Sequence, residues 1–430
     1  MDCVKYGVTT LPIPEKLLAK AHWLVPKDEP SELRNLSSSI KEALNSPIGS
    51  RSLKEQVMIG DKVSIVVSDI TRPVPTAQIL PALLEELHTC GIVADDICIV
   101  FALGIHRGMT DEEKAKVLGS EIFSQYKNIE PEQITYLGET SRGTPIEVCK
   151  EVADSDFIIL TGNIEFHYFA GYSGGYKALM PGVSTKAAIQ NNHKMMLDPK
   201  AKIGVADGNP VREDLEEFGQ KFPRTFLLNV VLNSKKEITK VVAGDPILAH
   251  REGCRVFDEY YKVYVNKPAD LVIVSAGGYP KDINMYQAQK ALDNAAKVVK
   301  KGGKMVLVAE MKEYFGEETF EEWLLDSQTI GSIISKIKEN FVLGGHKAAA
   351  IANLLKDVHI YVLSSMDEVT VKKAFFTPLK ELSDLENEDF KTVYVIPYGG
   401  LTLPEVRTEK GREITLEGFV SNPITSNLNF

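Results

Sequence analysis

The sequence predicts an α/β protein built as two α/β domains with mostly parallel, Rossmann-like sheets and an active-site cleft between them. Three observations lead there. Short β-branched or apolar runs recur at Lys62–Ser68, Ile97–Leu103, Asp156–Leu160, Asp270–Ala276 and Lys304–Glu310. Most of these runs are followed by a connection rich in glycine, proline or polar residues, and amphipathic stretches with helical spacing lie between them, which is the alternation of βαβ units. The 430 residues exceed what one hydrophobic core usually serves, so two domains are expected, at 1–265 and 268–400, with the tail 407–430 returning to the first.

Composition narrows the function. With 44% hydrophobic and 25% charged residues the chain is an ordinary globular protein. Its net charge of -10, with no basic block interleaved with aromatics, argues against nucleic acid as the main partner. A small anion is still admissible, because a few local cations dominate the field in a cleft. The five cysteines are scattered, odd in number and without a CxxC pair, so reduced and mostly buried thiols are expected rather than a disulfide framework or zinc knuckle. The opening residues lack the charged and apolar regions of a signal peptide, and no run approaches the roughly 18 apolar residues of a membrane span. A cytoplasmic enzyme acting on a small molecule, with no membrane partner, is the expectation.

In chain order, residues 1 to 60 read as one or two strands followed by polar helical segments, including SSSIKEALNS. The strand ending at Ser68 runs into Asp69-Ile-Thr-Arg-Pro-Val-Pro, where Pro73 and Pro75 impose a stiff, extended connection that holds Asp69 and Arg72 at a strand end. Thr76 is placed to cap the following helix, which stops at Gly91. After the strand at 97–103 comes a loop with His106, then a capping box of Thr110 and Glu113.

The richest stretch, Thr161 to His193, follows the run Asp156–Leu160. It holds His167, Lys177 and His193 among glycines 171, 174, 175 and 182. A lone histidine is more often a satisfied polar group than a ligand, and a glycine-rich loop alone is a weaker signal still. The combination on one connection after one apolar strand is what marks an active site. Ligands in open α/β sheets bind at the carboxyl ends of strands, and there Asp69, Arg72, His106, His167 and Lys177 converge if the three strands are parallel.

Further on, Thr225–Leu232 and Glu237–Val242 flank a hairpin signal, Ile247–Tyr261 is helical, and residues 266–269 read as a linker. A second unit follows: strand 270–276, a Gly277-Gly-Tyr-Pro loop, a helix from 284 to 300, and a strand at 304–310. No GxGxxG fingerprint accompanies this unit, so a dinucleotide site is not supported. Tyr286 and Lys290 share one face of its helix, with Gln287 beside them. A solvated face is the ordinary reading of such residues. If the helix instead lines the cleft, Lys290 and Arg72 form a cationic clamp for a carboxylate.

Together, SDITRPVP, GIHRGMT, NIEFHYFAGYSGGYKALMPG, the NNH at 191–193 and MYQAQKA resemble the nickel-dependent lactate racemase family, in the family's order across residues 68–291. The resemblance implies a racemase of a 2-hydroxy acid, with lactate leading and malate, an aromatic hydroxy acid or a sugar acid as the runner-up. It implies nickel held in a pyridinium-3-thioamide-5-thiocarboxylic acid mononucleotide, tethered to Lys177, with His193 as the protein's nickel ligand. His106 and His167 would be the acid/base pair. Asp69, Thr71 and Arg72 would hold the cofactor, and Arg72, Tyr286, Gln287 and Lys290 the substrate. Cofactor-biosynthesis and nickel-insertion proteins would be partners.

The implied chemistry is physically reasonable. The α-proton of a 2-hydroxy acid is poorly acidic beside a carboxylate, and removing the hydrogen as hydride, while a base takes the hydroxyl proton, avoids a carbanion and gives a planar keto acid, here pyruvate. Two enantiomers place their hydroxyls differently, so two bases are required, and histidine titrates near neutrality. A planar pincer supplies three donors, so one imidazole suffices. Closure of the domains would keep water from the keto acid. A nicotinamide-dependent hydroxy acid dehydrogenase would use similar residues, but it should carry the missing glycine fingerprint. A nucleotide-binding protein without activity would explain the glycines but not the paired histidines.

Overall fold

The computed structural model describes residues 2–26, 30–340, 342 and 344–407. The chain divides into two compact units, one of residues 28–260 and one formed by 1–27 together with the chain from 261 onward.

The 28–260 unit is organised on a six-stranded sheet. Its spatial order is Ile238–Gly244, Thr225–Leu232, Phe157–Ile164, Val63–Ser68, Ile97–Ala102, Lys127–Ile129, and only the first pair is antiparallel. The five parallel strands thus follow the doubly wound order 3-2-1-4-5, with the reversal between Val63–Ser68 and Phe157–Ile164. Alternate residues of each strand feed a separate core. Ile65, Val67, Phe101, Ile159 and Leu228 pack on one face, and Val66, Val100, Leu160 and Leu227 on the other. Burial of both faces explains why these strands read as continuous apolar runs, and each fully buried Val or Leu contributes about 1.5–3 kcal/mol.

The other unit repeats the plan. Its six-stranded sheet is wholly parallel, in the order Thr377–Pro378, His359–Leu363, Val299–Val308, Ala269–Ser275, Val393–Ile396, Ala21–Trp23. Two Rossmann-like sheets, one mostly and one wholly parallel, are therefore present, as the alternation of strands and helices predicts.

Several local expectations are corrected. Residues 2–26 do not join the 1–265 domain: Ala21–Trp23 adds an edge strand beside Val393–Ile396. Residues 266–268 are not a linker between the units, because the chain passes into the second unit near Tyr261, and Lys262–Val265 already pairs with Leu403–Val406 there. Thr76 does not cap its helix: Pro75 is the N-cap, Thr76 is the first helical residue, and its buried hydroxyl makes no hydrogen bond. The helix expected to reach residue 300 ends at Ala295, with a single tight turn before the strand begins at Val299. All five cysteines are free, but only Cys149 and Cys254 are buried. The tail expected to return to the first domain lies outside the described residues from 408 onward.

The Thr110–Glu113 capping box, the 225–244 hairpin and the helix Leu248–Tyr261 form as read. No helix among the described residues is long and apolar enough to cross a membrane.

Candidate active site

Two connections leave the sheet at its reversal point, after Ser68 and after Ile164, and a third leaves the neighbouring strand after Ala102. The first two Rossmann-type connections flank the crevice where such sheets take their ligands.

Asp69 follows its strand directly and is almost completely buried. One carboxylate oxygen lies 2.7 Å from Nδ1 of His106, and the other accepts the Thr71 hydroxyl at 2.8 Å. Burial pushes the Asp69 carboxyl up, but its hydrogen bonds with His106 and Thr71, aided by the charges of His106 and Arg72, outweigh this and hold it below the usual range. A carboxylate only accepts, so Nδ1 of His106 carries the proton and the neutral ring holds its lone pair on Nε2. An acid–imidazole dyad of this kind orients a base. The His106 loop is tied to the central stretch by the Gly104 N–H, which donates to the Gly182 carbonyl at 2.8 Å.

The strand Phe157–Ile164 is longer than its apolar run suggests, carrying Thr161, Gly162 and Asn163 into the sheet before the chain turns. A two-residue hairpin then pairs Phe166 and His167 with Tyr172 and Gly171. Gly171 has φ +75°, and a Cβ there would sit 2.0 Å from the Val205 carbonyl oxygen. Gly171→Ala is accordingly expected to destabilise the unit by more than the ~1–2 kcal/mol of left-handed backbone alone, seen as a lowered Tm; an unchanged Tm would contradict the close approach.

A fully buried arginine holds this turn from beneath. Arg212 donates to the carbonyls of Ala170 and Gly174, each at 3.2 Å, and to that of Tyr172. Burial lowers its pKa to about 10. Asn229 adds a bond from the Gly175 N–H to its side-chain oxygen at 2.9 Å.

On the short helical turn Gly175–Ala178 the amine of Lys177 lies 3.5 Å from Nε2 of His167. Burial, reinforced by the Arg212 and Arg72 charges, holds that amine well below its ordinary range. That shift favours the neutral amine over the ammonium. Nδ1 of His167 accepts the Ala170 N–H at 3.2 Å, so the neutral ring carries its proton on Nε2, the opposite tautomer to His106. Phe169 stands edge-on between two histidines, 4.7 Å from the His167 ring and 4.8 Å from that of His193. His193 projects from the helix Lys186–Lys194, capped by Thr185.

The structure thus joins Asp69, Thr71 and His106 by hydrogen bonds, Lys177 to His167, and His167 to His193 through Phe169. Arg72 is exposed and near enough for its charge to act on both Asp69 and Lys177. Among the described residues no three His, Cys, Asp or Glu side chains form a metal cage. Sequence reading missed Arg212, Asn192 and Asp214, which support the site from within the core. Asn192 belongs to the NNH triplet, but nothing in its spacing marks it.

The remaining residues singled out belong to the other unit. Tyr286, partly buried, packs edge-on against Phe320 at 5.5 Å, and burial, then the Glu317 charge, raises its phenol. Gln287 and Lys290 are exposed on the same helix, Met285–Ala295, whose N-cap is Asn284. Beside them is an unanticipated lysine, Lys347, whose ammonium lies 3.7 Å from the Tyr286 ring centre and donates to the Tyr286 carbonyl at 2.5 Å. Burial, then the charge of Lys290, lowers it to about 7.

Known proteins are similar to this chain in sequence and in fold. The lactate racemase N-terminal domain matches residues 6–204, and the lactate racemase C-terminal domain matches residues 264–399. A lactate racemase of Thermoanaerobacterium thermosaccharolyticum is 34% identical over 379 residues, covering 84% of this chain and 88% of the relative. One of Lactiplantibacillus plantarum is 34% identical over 300 residues, covering 67% and 69%. The structure of the Thermoanaerobacterium thermosaccharolyticum lactate racemase apoprotein superposes with a TM-score of 0.83 at 29% identity, over 94% of this chain and 99% of that one. A crystal structure of a Thermotoga maritima protein shares the fold, with a TM-score of 0.63 at 21% identity over 88% of this chain. Matched by both domains of the family and along most of its length by a relative, the chain is an isomerase that belongs to the lactate racemase family.

Proposed function

We propose that the protein interconverts the enantiomers of lactate through a keto acid, pyruvate, using a nickel-pincer nucleotide carried on Lys177. The observation that carries this reading is the Lys177 amine, set 3.5 Å from Nε2 of His167 on a glycine-rich turn, where desolvation favours its neutral form. A tether through an amide or thioamide needs an unprotonated amine, and an ordinary surface lysine is protonated at neutral pH. His193 would be the protein's one donor to nickel in a pincer that brings its own ligands, and imidazole suits nickel. When bound, such a group supplies an electrophile that accepts the substrate's C2 hydrogen as hydride and returns it to either face.

The protein residues do the rest. His106, oriented by Asp69, takes the hydroxyl proton of one enantiomer at Nε2. His167 serves the other, and to act as a base it must shift its proton to Nδ1 and release the Ala170 N–H. Arg72 is assigned to the substrate carboxylate and the cofactor, with Thr71 and Asp69 on the cofactor side. Tyr286, Gln287 and Lys290 are assigned to substrate binding. Loading of the cofactor and its nickel falls to separate biosynthetic and insertion proteins.

Protein from a host that makes the cofactor, incubated with L-lactate, is expected to give a racemic mixture by chiral chromatography. Malate and an aromatic hydroxy acid run alongside test substrate choice. Racemisation of one of these with lactate untouched would move the assignment to that acid.

A further inference from the structure

The helix carrying His193 is anchored by a polar network inside the core. Asp214 is fully buried on the helix Pro210–Gly219 and accepts three bonds: from the hydroxyls of Thr140 at 2.6 Å and Thr144 at 2.7 Å, and from the side-chain amide of Asn192 at 2.9 Å. Asn192 is itself fully buried, and the same Nδ2 also donates to the Val211 carbonyl at 3.0 Å. Two acceptors on one side of the amide fix which way it faces, because an oxygen turned toward them would meet a carboxylate and a carbonyl. Its oxygen Oδ1 therefore points the other way, 3.2 Å from Nδ1 of His193.

An amide oxygen can only accept, so His193 donates from Nδ1 and its neutral ring holds the lone pair on Nε2. We propose that Asn192, fixed by Asp214, is a positioning residue that sets the tautomer of His193 and makes Nε2 the nitrogen offered to nickel. The proposal rests on the nickel-pincer reading above and names the groups that prepare its one protein ligand. Metal-bound histidines are generally oriented by an acceptor on the other ring nitrogen. Here that acceptor is a neutral amide, itself held by a carboxylate one step deeper. The second wall is Phe169, edge-on to the ring and secured where the side chain of Asn209 donates to its carbonyl at 2.8 Å. Ring rotation is thus opposed by a hydrogen bond and by packing.

Two measurements test it. In Asn192→Ala, made in a cofactor-producing host, intact mass is expected to show the Lys177 adduct unchanged, while nickel per adduct after dialysis against a chelator falls, with affinity about 10- to 100-fold weaker. Unchanged nickel retention with the adduct in place would overturn the proposal. Independently of any variant, nitrogen NMR of histidine-labelled apoprotein at alkaline pH is expected to show His193 as the Nδ1–H tautomer, assigned by its loss in His193→Gln. An Nε2–H tautomer would overturn it as well. Wild-type protein lacking both adduct and nickel would instead defeat the cofactor reading, and the nickel role of Asn192 with it.

Discussion

Replacing Lys177 with alanine is expected to abolish both the covalent adduct and racemisation. The amine sits on the turn Gly175–Ala178, where Gly174 and Gly175 bring the backbone close to Asn229 and His250. Burial and two neighbouring arginines lower its pKa and favour the neutral form, the nucleophile that the proposed attachment needs. Lys177→Arg makes the cause separable from loss of packing, since it keeps a long side chain at the position but never presents a neutral amine. Both variants are expected to fold, to show the bare mass of the polypeptide, and to leave lactate unracemised. The same adduct on either variant would refute the tether.

The second large effect is expected at the Asp69–His106 pair. Removing His106 deletes the proposed general base, a role that typically contributes about 10²- to 10⁴-fold in rate. Asp69→Asn leaves the imidazole in place but removes the buried charge that steadies the imidazolium, and an asparagine amide turned toward Nδ1 favours the wrong tautomer. A fall of about 10²-fold or more in kcat is expected for His106→Ala, and a smaller but clear fall for Asp69→Asn, with the Lys177 adduct retained in both. Wild-type kcat in either would remove the dyad from the mechanism.

The sequence and the structure meet most closely where the signal is local. The runs around Ile65, Val100 and Ile159 read as strands because both faces of the sheet are buried, and the polar groups after them fall at one edge because those strands are parallel and adjacent. His106, His167 and Lys177 were legible for that reason. Thr76 misled because a threonine before an apolar stripe resembles a cap, whereas the rigid Pro73–Pro75 segment had already started the helix one residue earlier. Ala21–Trp23 gave no hint of its partner, since its pairing with Val393–Val395 closes a loop of most of the chain and leaves no short-range pattern. Arg212, Asn192 and Asp214 escaped for a related reason. They are polar residues on helices whose burial is set by tertiary packing, and only the fold reveals that they face the site's scaffolding rather than solvent.

A covalent nickel-pincer nucleotide on Lys177, as proposed, would be detected by intact mass followed by peptide mapping. Protein purified under mild conditions from a cofactor-making host is predicted to be heavier than its polypeptide, with the added mass confined to the peptide bearing Lys177. An unmodified mass from that host, or an adduct mapped to another lysine, would contradict it.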